Sequence, residues 1–308
     1  MARRSCASGS STRSSPESRA DGPAALVTRL LYGRPLAEQV NADSARRAAL
    51  LRERGVTPAL AVVSAPGGAA AATYLGRLQR AGTALGVDVR EVPLGRDADA
   101  GAIGAALDGL GADERTSGVL LLSPLPTGVD LVAVAHRIPH HKDVEGMHPL
   151  NVGFLAGGRP RFVPPTAEAV IALLHHYQVP IRGASVTVVG RSAVFGRPLA
   201  SLLLLEHATV TVAHSQTPDL AAHTKAADIV AIGIGRAGAL RGDMLADGAI
   251  VVDAGINVTP DGILGDVDAT SLHGIAAGYT PVPGGLGAVT TALLLRNVVA
   301  TAEQLGSG

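Results

Sequence analysis

Ser185-Val186-Thr187-Val188-Val189-Gly190-Arg191-Ser192-Ala193-Val194-Phe195-Gly196-Arg197-Pro198 is the stretch on which the reading of the fold turns. Residues 186–189 form a β-branched run that stops at a glycine, and residues 196–206 follow with helical character. In a Rossmann unit a pyrophosphate docks at such a strand–turn–helix corner. Glycine lets the backbone come close, and the helix N-terminus offers free N–H groups and a partial positive charge. The spacing departs from GxGxxG, because Ser192 stands at the second glycine position. Taken alone, the segment fits an α/β protein that binds nothing equally well.

The pattern continues on both sides. Downstream, strands are expected over 209–213, 229–232 and 250–253, helices over 196–206 and 218–226, and a final helix from about 288 to 304. Upstream, residues 35–54 read as a helix with Leu36, Val40, Leu50 and Leu51 on its apolar side. Residues 58–64, 87–92 and 117–123 read as strands, the last an unbroken apolar run of the kind buried on both faces. Helices over 69–85 and 98–110 lie between them, and Pro66-Gly67-Gly68 and Pro124-Leu125-Pro126 mark turns. Thr166 is the expected N-cap of a further helix, with Glu168 in its first turn. Val170, Leu173, Leu174 and Tyr177 supply that helix's stripe, which ends before Pro180. Strands alternating with helices predict an α/β protein of two units with parallel sheets, joined near residues 160–165 and again near 285.

Composition agrees. Of the 308 residues 47% are apolar, 17% charged and only 2% aromatic, so the cores must be built from Val, Leu, Ile and Ala. Formal net charge is zero and no basic run is interleaved with aromatics, which argues against nucleic acid as a partner. The single cysteine, Cys6, excludes a disulfide framework within one chain. The paired histidines 140–141 and 175–176 lack a metal-ligand spacing, and no metal is expected. No apolar run reaches the ~18–20 residues of a membrane span, so no membrane association is expected. Residues 1–22, rich in Ser and Arg and without an apolar stretch, are expected to be a disordered tail or the product of an early start, not a signal. Arginine far outnumbers lysine, which occurs only at Lys142 and Lys225, as in a GC-rich bacterial genome; a cytoplasmic protein is expected.

The strand after the glycine corner narrows the ligand. An NAD site ends that strand with a carboxylate for the ribose 2′-OH. Here it ends His214-Ser215-Gln216-Thr217, with no acid, and Arg191 shares the corner. A cation and a hydroxyl suit a 2′-phosphate, so NADP is favoured over NAD, although Arg191 also reads as a solvated loop residue.

At this point the chain resembles the bifunctional methylenetetrahydrofolate dehydrogenase/cyclohydrolases. The resemblance rests on the Gly190–Pro198 corner together with Lys142-Asp143-Val144-Glu145-Gly146, Asn151-Val152-Gly153, Val252-Asp253-Ala254-Gly255-Ile256-Asn257, Gly265-Asp266-Val267-Asp268 and Thr280-Pro281-Val282-Pro283-Gly284-Gly285-Leu286-Gly287, all in order between about 30 and 300. It implies an N-terminal α/β substrate domain (23–163, completed by 288–308) and a Rossmann-type NADP domain (164–287), a folate-type substrate in the cleft, and a homodimer. It also implies roles. Gly190, Arg191, Ser192 and Ile256 resemble the family's NADP contacts, with Ser215 near the 2′-phosphate. Tyr74 matches the tyrosine that packs along the folate ring system. Glu145 stands where the family has an aspartate gripping the pterin, and Pro281, Gly284 and Gly285 belong to the loop that lines the cleft.

The same resemblance exposes a gap. The family reads Tyr-x-x-x-Lys, two residues that share one helix face. Here Leu78 follows Tyr74 at that spacing. Leu122 replaces the glutamine before Pro-Leu-Pro, and the run Ala70-Ala71-Ala72 replaces a serine. Hydride transfer needs alignment and little side-chain chemistry, whereas cyclohydrolysis moves protons and loses its shuttle with the lysine. Arg77 and Arg80 are nearby, but a guanidinium is a poor base. Three readings follow: a dehydrogenase with weak or absent cyclohydrolase activity, a paralogue acting on another one-carbon carrier, and a non-catalytic NADP- or folate-binding protein.

Overall fold

The computed structural model describes residues 26–66, 69–260 and 262–306, the side chains of Ala69 and Ala70 excepted. The tail expected over 1–22 and Cys6 lie outside them. The chain opens with β1 (Arg29–Leu30) and α1 (Arg34–Glu53), followed by β2 (Ala59–Ser64), α2 (Ala69–Leu85), β3 (Asp88–Pro93), α3 (Ala100–Ala112) and β4 (Gly118–Leu122). Two short helices, α4 (Leu131–Ala135) and α5 (Pro149–Ala156), lead to α6 (Pro165–His176). The second alternating run is β5 (Ser185–Val189), α7 (Gly196–Leu205), β6 (Thr209–Ala213), α8 (Leu220–Lys225), β7 (Ile229–Ile232) and β8 (Ile250–Asp253). A small hairpin of β9 (Asn257–Thr259) and β10 (Gly262–Leu264), then β11 (Gly278–Tyr279) and α9 (Leu286–Leu305), complete it.

Two parallel sheets result, as the α/β reading required. The first has the order β3-β2-β4, and every residue of its central strand β2 is buried. The second has the order β1-β11-β8-β7-β5-β6. The chain runs from β5 outward to β6, then crosses back to β7 on the other side of β5. The topological switch point therefore lies between β5 and β7, and in open α/β sheets ligands bind outside the carboxyl ends of strands at that place.

Two 20-residue helices tie the sheets together. Leu286, Val289, Ala292 and Leu293 of α9 belong to the core of the second sheet, while Leu294, Leu295, Val298, Val299 and Ala302 belong to the core of the first. In the same way α1 gives Leu36 and Ala37 to one core and Ala48 and Leu51 to the other. The N-terminal segment is stitched to the second sheet by β1, whose Leu30 pairs with Tyr279.

Three local expectations need correction. Thr166 is not the N-cap of α6: the cap is Pro164, with Pro165 the first helical residue. Proline has no N–H to satisfy and its fixed φ suits that first position. Leu50 is exposed, and Leu51 alone faces the core. Tyr177 lies one residue past the helix, where its hydroxyl donates to the Tyr32 carbonyl at 2.8 Å. The elements that were not anticipated are short (β1, β11, α4 and the hairpin) or, like α5, apolar without an amphipathic stripe. Among the described residues no helix is long and apolar enough to cross a membrane.

Candidate active site

The switch-point crevice is built by glycines. Gly190 ends β5 with φ +124°, and a Cβ there would lie 2.7 Å from the Gly233 carbonyl oxygen. Gly196 opens α7, and a Cβ on it would lie 2.0 Å from the Gly190 carbonyl oxygen. Only glycine at both places lets the turn after β5 fold back under α7. No side chain caps the helix, whose Arg197 N–H donates to the Ser192 carbonyl of the turn at 3.2 Å and whose Pro198 has no N–H to satisfy. Arg191 and Ser192 are exposed on the turn. Val189 pairs with Ala213 at the ends of β5 and β6, so Ser215, exposed two residues further on, stands at the neighbouring corner. Ile256 is 65% exposed and Ile234, just beyond β7, is 41% exposed. These features fit a nicotinamide dinucleotide: an anion-binding turn, apolar side chains left in the open beside it, and no carboxylate at the Ser215 corner.

The other predicted residues gather about the first sheet. Tyr74, in the early turns of α2, packs against the core that contains Leu60, Val62, Leu75, Leu78 and Leu120. Leu122 packs against the same cluster. Burial, followed by the charge of Glu145, raises the Tyr74 phenol well above its ordinary range, and Arg77 offsets part of this. The two groups are thus near enough to interact electrostatically.

Glu145 is held by its neighbours. The Asn297 amide of α9 donates to the Val144 carbonyl at 3.0 Å. Asp143 accepts from the His148 N–H at 2.7 Å and from the Asn151 amide at 2.8 Å. Gly146, with φ +67°, passes so close to the 162–163 backbone that a Cβ would lie 2.6 Å from the Phe162 carbonyl oxygen. The Glu145 side chain keeps a little solvent contact, yet protein surrounds it. That burial, with Asp143 adding a second negative charge, raises its carboxyl to about 8.

The loop after β11 is also tightly specified. Gly284 takes φ +111°, and a Cβ on Gly285 would lie 2.7 Å from the Pro281 carbonyl oxygen. The Gly33 N–H donates to the Gly284 carbonyl at 2.9 Å. Tyr32 then lies beside Gly284, with its ring carbon 3.6 Å from where a Cβ would be. Tyr32 was not anticipated, and a lone tyrosine after an apolar residue gives no signal. Asp253 and Asp266 were quoted only as parts of motifs, yet both are buried at the ends of these loops.

The relationship follows from this geometry and from direct comparison. Residues 31–145 match the tetrahydrofolate dehydrogenase/cyclohydrolase catalytic domain, and residues 164–305 match the NAD(P)-binding domain of the same family. The chain belongs to this family. It is 49% identical over 275 residues to the bifunctional protein FolD of Nocardia farcinica, covering 89% of this chain and 97% of that one. The crystal structure of the bifunctional FolD enzyme from Campylobacter jejuni matches with a TM-score of 0.87 at 34% identity, over 90% of this chain and 99% of the other. The Trypanosoma brucei dehydrogenase-cyclohydrolase, solved with NADP cofactor and an inhibitor, matches with a TM-score of 0.85 at 33% identity, over 90% and 98%. The protein is thus an enzyme of folate one-carbon chemistry. The switch-point crevice lies within the NAD(P)-binding domain, and its acid-free Arg191–Ser215 corner suits NADP.

Proposed function

We propose that this enzyme is an NADP-dependent 5,10-methylenetetrahydrofolate dehydrogenase whose methenyltetrahydrofolate cyclohydrolase activity is weak or absent. Leu78 carries the proposal. It is 0% exposed, enclosed by the apolar core of the first sheet, with Leu122 packed on the same cluster. The position where the family's proton-shuttling lysine is expected is thus filled by hydrocarbon. Lys142 does not replace it: its ammonium donates to the Gly111 and Asp113 carbonyls at 2.8 and 2.9 Å, near the start of β4 and away from the Leu122 end.

NADP, when bound, supplies the hydride acceptor. The chain's task in hydride transfer is alignment, which by itself contributes much of the rate when two reacting carbons are held close. In this reading Tyr74 packs along the folate ring, Glu145 takes the pterin edge, and Pro281, Gly284 and Gly285 line the cleft. Gly190, Arg191, Ser192 and Ile256 contact the cofactor, with Ser215 at its 2′-phosphate. Residues 23–163 with 288–308 form the substrate domain, and 164–287 the cofactor domain. The enzyme works in the cytoplasm as a homodimer, a reading supported by the edge strand β6, where Val212 and the neighbouring Leu204 and Leu205 of α7 are exposed.

The three relatives described above are named as bifunctional or for both activities, which supports the dehydrogenase half, while Leu78 argues against the other half here. One observation favours an altered one-carbon carrier instead. A cavity of about 230 Å³ is lined by Leu122, Ala71, Ala72 and Leu75, where Ser64 donates to Glu91 at 2.6 Å. A single assay separates these readings. Purified enzyme is given 5,10-methylenetetrahydrofolate and NADP⁺, and reduced cofactor and methenyl product are followed separately. Reduced cofactor with accumulating methenyl product is expected. Rapid loss of the methenyl signal would refute the hydrolytic defect, and no reduced cofactor with NADP⁺ or NAD⁺ would direct the search to another carrier.

A further inference from the structure

Asp266 has no role in the chemistry above, and its surroundings give it one. It is 0% exposed, and both carboxylate oxygens are committed. Oδ2 accepts from the Ile234 and Gly235 N–H groups at 2.6 and 2.9 Å. Oδ1 accepts from the Arg236 N–H at 2.7 Å and from the Asn257 amide at 2.9 Å. Asp253 stands behind it at the end of β8. Its Oδ1 accepts from the Gly255 and Asp266 N–H groups at 2.8 and 3.1 Å, and its Oδ2 from the Val267 N–H at 3.0 Å. Its own N–H donates to the Thr280 hydroxyl at 2.8 Å, at the start of the loop that lines the cleft.

Two adjacent buried carboxylates with no cation among these donors are costly to keep. The chain makes further room for them: a Cβ on Gly255 would lie 2.3 Å from Asp266 Cγ, and one on Gly265 would lie 2.0 Å from Asp253 Oδ2. A turn can be closed by far less. What the arrangement adds is placement. Three successive N–H groups converge on a two-oxygen acceptor, as in backbone anion nests. The segment they belong to leaves β7 at the switch point, where Gly190 faces Gly233. Ile234, whose own N–H this carboxylate holds, and Ile256, which precedes the Asn257 whose side-chain amide it holds, are large apolar side chains left exposed.

We infer that Asp266 is a positioning residue for the nicotinamide cofactor. It does not touch the ligand; it clamps the 234–236 loop and Asn257 so that Ile234 and Ile256 stand as apolar walls of the crevice. The inference rests on the cofactor occupying the switch-point crevice.

The test is Asp266→Asn in the full chain. The amide keeps the shape but offers one acceptor oxygen and turns an NH₂ toward backbone donors. NADP⁺ affinity by calorimetry should weaken roughly 10- to 100-fold, because small misplacements of a binding group are amplified in this way. The KM for NADP⁺ should rise in step, with the KM for the folate substrate nearly unchanged. Asn257→Ala, which removes one of Asp266's four donors together with the amide's bonds to the Leu264 and Gly265 carbonyls, should act in the same direction more weakly and keeps the test open if Asp266→Asn folds poorly. Adding Ile234→Ala to Asp266→Asn should cost little beyond either change, since one acts through the other. A folded Asp266→Asn enzyme that binds NADP⁺ within twofold of wild type would overturn the inference. So would an equal rise in both KM values, which marks a merely structural residue. Failure of the wild-type enzyme to bind NADP⁺ at all would instead remove the cofactor assignment, and the inference with it.

Discussion

The two halves of this enzyme treat their buried carboxylates in opposite ways. At the second sheet, Asp266 takes four donors and Asp253 takes three, all from the protein. At the first sheet, burial and the charge of Asp143 both act against ionisation of Glu145, and no donor among the described residues offsets them. In the proposed reading the cofactor crevice is therefore finished before its ligand arrives, whereas the folate cleft leaves a hydrogen-bonding group, Glu145, to be completed by the substrate. Leu78 and Leu122, which stand where the resemblance implies polar residues, both belong to the unfinished half. Substitutions there alter what chemistry is done, and substitutions in the crevice alter whether the cofactor binds at all.

The most severe way to break this contrast is Gly196→Ala. Its Cβ would meet the Gly190 carbonyl oxygen at 2.0 Å and Arg191 N at 2.9 Å, both backbone atoms that have nowhere to go without opening the turn. NADP⁺ affinity should fall by roughly 100-fold or more, since the pyrophosphate turn and helix start move together. Calorimetry with NADP⁺ reads this directly. Retention of affinity within about fivefold would mean that the crevice is less preorganised than the geometry requires.

Leu78→Lys probes the other half. An ammonium placed in a fully enclosed apolar cluster must be desolvated or deprotonated, and the loss of stability should be about 3 kcal/mol or more. Hydrolysis of the methenyl product should stay low, because Leu122 still offers the new amine nothing to bond. Leu78→Lys with Leu122→Gln should recover part of both stability and hydrolysis. Thermal melts and the decay of methenyl absorbance are the measurements, and full hydrolysis from the single change would refute the paired-loss account.

The contrast also explains what could be read from the sequence. The strands over 229–232 and 250–253 were legible to the residue because buried parallel strands are unbroken apolar runs, whereas 209–213, a mostly exposed edge strand, was legible from its alternating β-branched Thr and Val. The Gly190 corner was legible because backbone approach demands glycine. Thr166 misled because a hydroxyl is a good cap wherever it stands, and the prolines before it decided the boundary. The sequence marked Leu78 as a missing lysine, but not that the leucine is sealed in a core shared with α9. Asp253 and Asp266 lie thirteen residues apart, and the donors to the pair come from the segment after β7 as well as from their own surroundings. No local spacing encodes that meeting, and only the order of strands in the sheet brings it about.

The smallest expected effect is the most diagnostic of an unfinished cleft. With its carboxyl raised to about 8, Glu145 is mostly protonated at neutral pH. Its folded-state value lies above the unfolded value of about 4.5, so the folded protein holds the proton more tightly, and this group's contribution to stability falls as pH rises from about 4.5 to about 8. Ligand binding has the opposite sign. A pterin edge presents N–H donors, which favour the ionised carboxylate and lower its pKa on binding. Substrate affinity should therefore increase as pH rises toward about 8 and level off beyond it, by a few-fold to about tenfold between neutral pH and the plateau. Glu145→Gln cannot ionise, so it should flatten the profile of the folate KM, weaken binding most above the plateau and leave the KM for NADP⁺ alone. It should also raise the melting temperature relative to wild type at high pH and not in mild acid. A wild-type profile already flat between about pH 6 and about pH 9 would show that Glu145 finds its donors inside the protein, and the two carboxylate sites would then differ in degree and not in kind.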